Sequence, residues 1–123
     1  MSKRSKDKGA AGERELFHKL SDELGFVVRR NVDQARAGGA DGMDIPGFAV
    51  ECKRCESLSR PAWWRQAVEQ GEKVKREPIL FYRRNHTPWR AMLYRHDADP
   101  IDVCFEAAVR HVREKLAYQG ITR

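Results

Sequence analysis

"FAVECK", residues 48–53, sets two charges into an apolar strand, and the phase of that strand decides how the rest of the chain is read. Side chains alternate along a strand, so Phe48, Val50 and Cys52 point one way and Glu51 and Lys53 the other. A carboxylate and an ammonium therefore share a face, about 7 Å apart along the strand. Upstream, Asp44 precedes Pro46 and Gly47, which turn or bend the chain, so a short hairpin or bent strand is expected to bring Asp44 beside Glu51. Two carboxylates held close repel each other unless a cation lies between them. Oxygen ligands select hard Mg²⁺, with Mn²⁺ as a substitute, over zinc, and the backbone carbonyl of Cys52 offers one more oxygen. Lys53 then stands where it orients or helps deprotonate an attacking water, a division of labour that suits phosphodiester hydrolysis. Taken alone, Glu51 and Lys53 also read as a solvated ion pair worth about 0–1 kcal/mol.

Upstream of this strand, apolar residues at Leu16, Phe17, Leu20 and Leu24 form a helical stripe over about Ala10–Leu24, closed by Gly25. Glu13 falls within that stripe, three before Leu16 and four before Phe17, so it is expected to point inward. Glu15 lies one position round and has a surface partner in Lys19. "FVVRRNV", 26–32, reads as a strand, and the glycine-rich "DQARAGGADG", 33–42, as a loop. Downstream, Ser59 and Pro61 open a helix expected over about 62–76, with Trp63, Ala67, Val68 and Val74 on its apolar side. "PILFYRR" and "WRAMLYRH" read as strands joined by the turn "NHTP". Asp99 and Pro100 open a last helix over about 100–118, with Ile101, Phe105, Ala108, Val112 and Leu116 on one face. The expected fold is α/β, a small mixed sheet flanked by helices with an additional C-terminal helix.

A chain of 123 residues suffices for one domain, assigned to 10–123, preceded by a flexible basic arm at 1–9. The 24 Lys and Arg against 18 Asp and Glu give a formal charge of +6. A basic body suits a polyanion such as DNA or RNA, although a charged surface also serves solubility. No signal-like apolar segment opens the chain and no run is long enough to span a membrane, so the protein is expected in the cytoplasm, away from membranes. Cys52, Cys55 and Cys104 fit a reducing compartment, and the Cys52/Cys55 pair lacks the further ligands that zinc would need. Trp63 and Trp64 are candidates for stacking on bases, or for the core.

The segment "KGAAGEREL", 8–16, followed by "GFVVRR", an Asp-Ile pair, "VECK", a later Gln and a closing strand pair, resembles the archaeal-type Holliday-junction resolvases of the PD-(D/E)XK nuclease superfamily, which phages also encode. The likeness covers roughly residues 8–95 and implies a restriction-endonuclease-like core. It also implies a Mg²⁺-dependent endodeoxyribonuclease that acts on four-way junctions as a homodimer. Carried over by position, the active site comprises Glu13, Asp44, Glu51 and Lys53, with Gln66 on the following helix positioning the water or the lysine. Glu13, Asp44, Glu51 and the Cys52 carbonyl would hold the metal. Lys8, Arg14, Arg29, Arg30, Arg36, Arg54, Arg60 and Arg65 are the candidate DNA contacts. The gap between Asp44 and Glu51 is shorter than in archaeal members, and Asp41 is a rival that lacks Asp44's contact with Ile45 and the strand. A restriction or repair nuclease of the same superfamily, a catalytically silent DNA-binding module and a structural partner in a larger nuclease are the alternatives.

Overall fold

The computed structural model describes residues 3–28, 45–55 and 59–120. In chain order the elements are α1 (Lys3–Leu24), β1 (Phe48–Cys55), α2 (Arg60–Val74), β2 (Glu77–Arg84), β3 (Arg90–Leu93), β4 (Ile101–Cys104) and α3 (Phe105–Tyr118). The strands form one sheet in the order β1-β2-β3-β4. β1 runs parallel to β2, which requires the α2 crossover between them, while β2, β3 and β4 are antiparallel neighbours.

Leu16, Leu20 and Leu24 recur every four residues and turn one side of α1 into the sheet. Gly25, at φ +80°, ends the helix, and the amide of Val28 donates to Ser21 Oγ at 2.8 Å to fix the exit. The helix starts at Lys3, well before Ala10, so residues 3–9, expected as a flexible arm, have helical backbone. Lys and Arg favour helix without needing an apolar face, which is why periodicity missed this turn. Residues 26–28 are not strand, and the rest of the expected strand 26–32 lies outside the described residues, as does the glycine-rich loop.

α2 takes Pro61 in its first turn and ends on Lys75 in the left-handed conformation. Ala67 and Gly71 are its buried residues. A Cβ on Gly71 would lie 2.8 Å from the backbone oxygen of Arg76, so the tight return into β2 depends on glycine.

The last helix corrects the expected range 100–118. Residues 101–104 are strand β4, registered Leu93↔Ile101 to Arg90↔Cys104, and helix begins only at Phe105. Ile101 and Val103 are β-branched, and Asp102 finds side-chain partners on other elements, which outweighs the helix-start appearance of Asp99 and Pro100. Ile101 is exposed, off the apolar face to which its spacing assigned it.

Two packed layers result. The larger core joins α1 and α3 to one sheet face through residues such as Leu16, Leu20, Phe48, Val50, Phe81 and Val112. On the opposite face α2 lays Ala67 over Leu80 and Tyr82, flanked by Trp63, Trp64 and Met92. Among the described residues no helix is long and apolar enough to cross a membrane.

Candidate active site

β1 divides its side chains between these two layers. Phe48, Val50 and Cys52 pack with the larger core. Glu51 and Lys53 fall on the α2 side, opposite Leu80 and Tyr82 in the parallel register. Glu51 is 2% exposed, the buried charged residue of the described chain. This removes the solvated-face reading for Glu51, whose side chain is closed off from water. Lys53 is half-buried two positions further on.

α2 carries Gln66 and Gln70 one turn apart. Val68 and Gly71 line a hollow with Tyr94, which follows β3, while Trp63 packs against Tyr82. Gln66 is exposed. Gln70, one turn on, is half-buried, and its Oε1 is buried without a hydrogen-bond partner among the described residues. Sequence reasoning chose Gln66 alone. The i,i+4 repeat of glutamine on one helix flank was the signal for Gln70.

Glu13 arrives from the other layer. α1 approaches β1 closely at Gly12, where a Cβ would lie 2.9 Å from Arg54 Cβ. Glu13 is half-buried with Oε1 inside the protein, as its place in the apolar stripe requires. Since α1 and Glu51 lie on opposite sheet faces, carboxylates from the two can approach each other only round the outer edge of β1. Among the described residues that strand is paired on one side only.

Glu15 is not the surface residue its spacing from Lys19 suggested. Its carboxylate accepts from Trp89 Nε1 at 2.7 Å and from Arg83, with Arg54 Nη1 at 3.9 Å. Burial alone would raise its pKa, but the Trp89 hydrogen bond and the charges of Arg83 and Arg54 hold it below the usual carboxylate value. Lys19 instead sits over the Phe105 ring, 4.8 Å from its centroid.

The expected DNA contacts divide. Arg29, Arg30 and Arg36 lie outside the described residues, as do the side chain of Lys8 and Asp44, the residue expected at the metal. Arg14 and Arg65 are exposed. Arg54 is turned inward against Gly12 and Glu15, and Arg60 is bound to Asp102. Asp102, with Tyr82 and Arg90, forms a charged group that sequence reasoning missed, because Asp102 was placed in a helix. Among the described residues no three His, Cys, Asp or Glu side chains gather as a metal centre.

The described core is thus a mixed sheet covered on both faces, with a buried glutamate and a lysine two residues on along one strand. The family described as "Phage putative PDDEXK endonuclease" matches residues 4–119, and the chain belongs to it. No protein with a curated description matches the sequence. Among solved structures, the Archaeoglobus fulgidus Hjc, a Holliday junction resolvase from an archaeal hyperthermophile, aligns with a TM-score of 0.49 at 18% identity, over 80% of this chain and 85% of that one. Nucleases of this superfamily use divalent metals. Glu51 fits such a cation in its chemistry: it is a hard oxygen donor, and an ionised carboxylate at 2% exposure is costly unless positive charge is near.

Proposed function

We propose that the protein is a Mg²⁺-dependent endonuclease that hydrolyses phosphodiester bonds in branched DNA, with four-way junctions as its substrate and a homodimer as its working form. The observation that carries this reading is the burial of Glu51 at 2% exposure with Lys53 two residues on along the same strand, in a chain of the endonuclease family. Glu51, Asp44 and Glu13, with the Cys52 carbonyl, would hold the cation. Bound there, the cation supplies charge neutralisation at the attacked phosphate and lowers the pKa of water. Lys53 donates to the phosphate or takes the proton of the attacking water, and Gln66 orients that water. Phosphodiester hydrolysis needs a barrier reduction on the order of 20 kcal/mol, which positioning and fixed charge are able to supply together.

The junction preference rests on the ordered set Glu13, Asp44, Glu51, Lys53 and Gln66 behind the "KGAAGEREL" opening. A junction must be cut on two strands at related positions, and a two-fold pair offers two equivalent sites. The test offers the purified protein a labelled four-way junction, a linear duplex and a flap, with Mg²⁺ and with EDTA, beside Glu51→Ala. Paired cuts in the junction that need Mg²⁺ and vanish in the variant are expected. Equal cutting of the linear duplex would replace the junction reading with a restriction or repair nuclease, and binding without cutting would leave a silent DNA-binding module.

A further inference from the structure

A second group of charges gathers on the sheet face that carries Glu51 and Lys53. The register lays Lys53, Tyr82 and Arg90 in one row across β1, β2 and β3. Asp102 stands in the adjacent row on β4, opposite Met92. Its carboxylate accepts from the Tyr82 hydroxyl, from Arg90 Nε at 2.8 Å and from Arg60 Nη1 at 3.2 Å. Arg60 comes from the first turn of α2, so one carboxylate ties that helix to the far strands of the sheet.

This arrangement does more than neutralise charge. One carboxylate serving two guanidiniums leaves a net positive charge. Both arginine side chains stay nearly half exposed, Arg60 at 49% and Arg90 at 46%. A guanidinium has five N–H donors, and Asp102 and the Tyr82 hydroxyl engage only part of each fork, so donors on both remain for an incoming acceptor. Fixing the forks in advance lowers the rotamer entropy lost on binding. The positive end of the α2 dipole lies at the same place. On the opposite sheet face, Arg54 and Arg83 are drawn to Glu15, which removes them from this surface.

We propose that Arg60 and Arg90, held by Asp102 and Tyr82, form a phosphate cradle for the backbone of the DNA strand being cut. Two interstrand spacings separate Arg90 from Lys53, about 10 Å. That keeps the cradle within reach of phosphates neighbouring the scissile one. The cradle rests on the nuclease reading above and adds to it the direction of the strand, from Lys53 past the start of α2 toward Arg90 and β4. Asp102 and Tyr82 act as positioning residues, since neither needs to touch DNA.

The salt dependence of binding tests this. Fluorescence anisotropy of a labelled junction in EDTA gives the slope of log Kd against log salt for the wild type and for Arg60→Gln, Arg90→Gln and the double variant, with Arg110→Gln on α3 as a surface-charge control. Each cradle arginine is expected to flatten the slope by about one, and the pair by about two, while Arg110→Gln leaves it unchanged. Asp102→Asn keeps both cations, so binding should not weaken, but the misaligned forks should cut the single-turnover rate about tenfold at a temperature well below the melting point of either protein. If the wild type binds and cuts DNA while the arginine variants behave like Arg110→Gln, or Asp102→Asn cuts at the wild-type rate, the cradle is wrong and the nuclease reading stands. If the wild type neither binds nor cuts DNA, both fall.

Discussion

At the scale of single residues, Glu51 joins burial to charge, and the two pull in opposite directions. A carboxylate at 2% exposure weakens the fold unless positive charge compensates it. If Glu51 holds the cation as proposed, Glu51→Gln is expected to reduce cleavage by at least about 10²-fold. Millimolar Mg²⁺ should raise the melting temperature of the wild type by several degrees and leave Glu51→Gln unmoved, which differential scanning fluorimetry reads without DNA. The alternation of "FAVECK" made Glu51 and Lys53 legible from the sequence, because strand phase is local information. Glu15 was misread for the opposite reason. A partner at i,i+4, Lys19, offered a complete local explanation, whereas its observed partners Arg83 and Trp89 lie 68 and 74 residues away. No sequence pattern announces a contact of that range.

At the scale of elements, the β2–β3 hairpin, the α2 crossover and the stripe of α1 were legible, each marked by its own periodicity and punctuation. β4 was not, because a four-residue strand running directly into a helix shows too little alternation to declare itself. Two connections between elements yield predictions. Gly71→Ala gains about 1 kcal/mol of helix propensity, yet its methyl would lie 2.8 Å from the Arg76 backbone oxygen, so a net loss of about 1–2 kcal/mol is expected in urea denaturation. The second concerns Glu77, at the start of β2, which pairs with His111 Nε2 and Lys115 Nζ on α3, each at 2.8 Å. Burial alone would raise the Glu77 pKa, but the hydrogen bonds from His111 and Lys115 and their charge bring it below the ordinary 4.5. A carboxylate depressed in the folded state contributes stability that is full above its unfolded pKa and is lost as pH falls through the folded value. Glu77→Gln should therefore cost about 1–2 kcal/mol near neutral pH, and the difference from wild type should shrink below about pH 4.5, as paired melts across an acid series would show.

At the scale of the whole molecule, the sheet separates two tasks. One face is sealed by α1 and α3, and the other carries Glu51, Lys53 and the charges around Asp102 beneath and beside α2. The C-terminal helix, for which sequence reasoning left sheet cover and subunit interface open, buries Phe105, Ala108, Val109, Val112 and Leu116 against the larger core. Full burial of a large apolar side chain contributes about 1.5–3 kcal/mol, so losing this set approaches the 5–15 kcal/mol typical of a whole domain. A chain ending before Phe105 should show no cooperative melt by circular dichroism, while Tyr118→Ala, at a residue 91% exposed, should melt like the wild type. The division between faces also limits how such a chain can change over generations. Lengthening a loop by one residue leaves every side chain on its own side, but inserting one between Val50 and Glu51 reverses the strand beyond it, sending the lysine into the larger core and Arg54 to the side of α2. Descendants of this gene are thus free to vary in their connections, while the parity of six consecutive codons is held fixed.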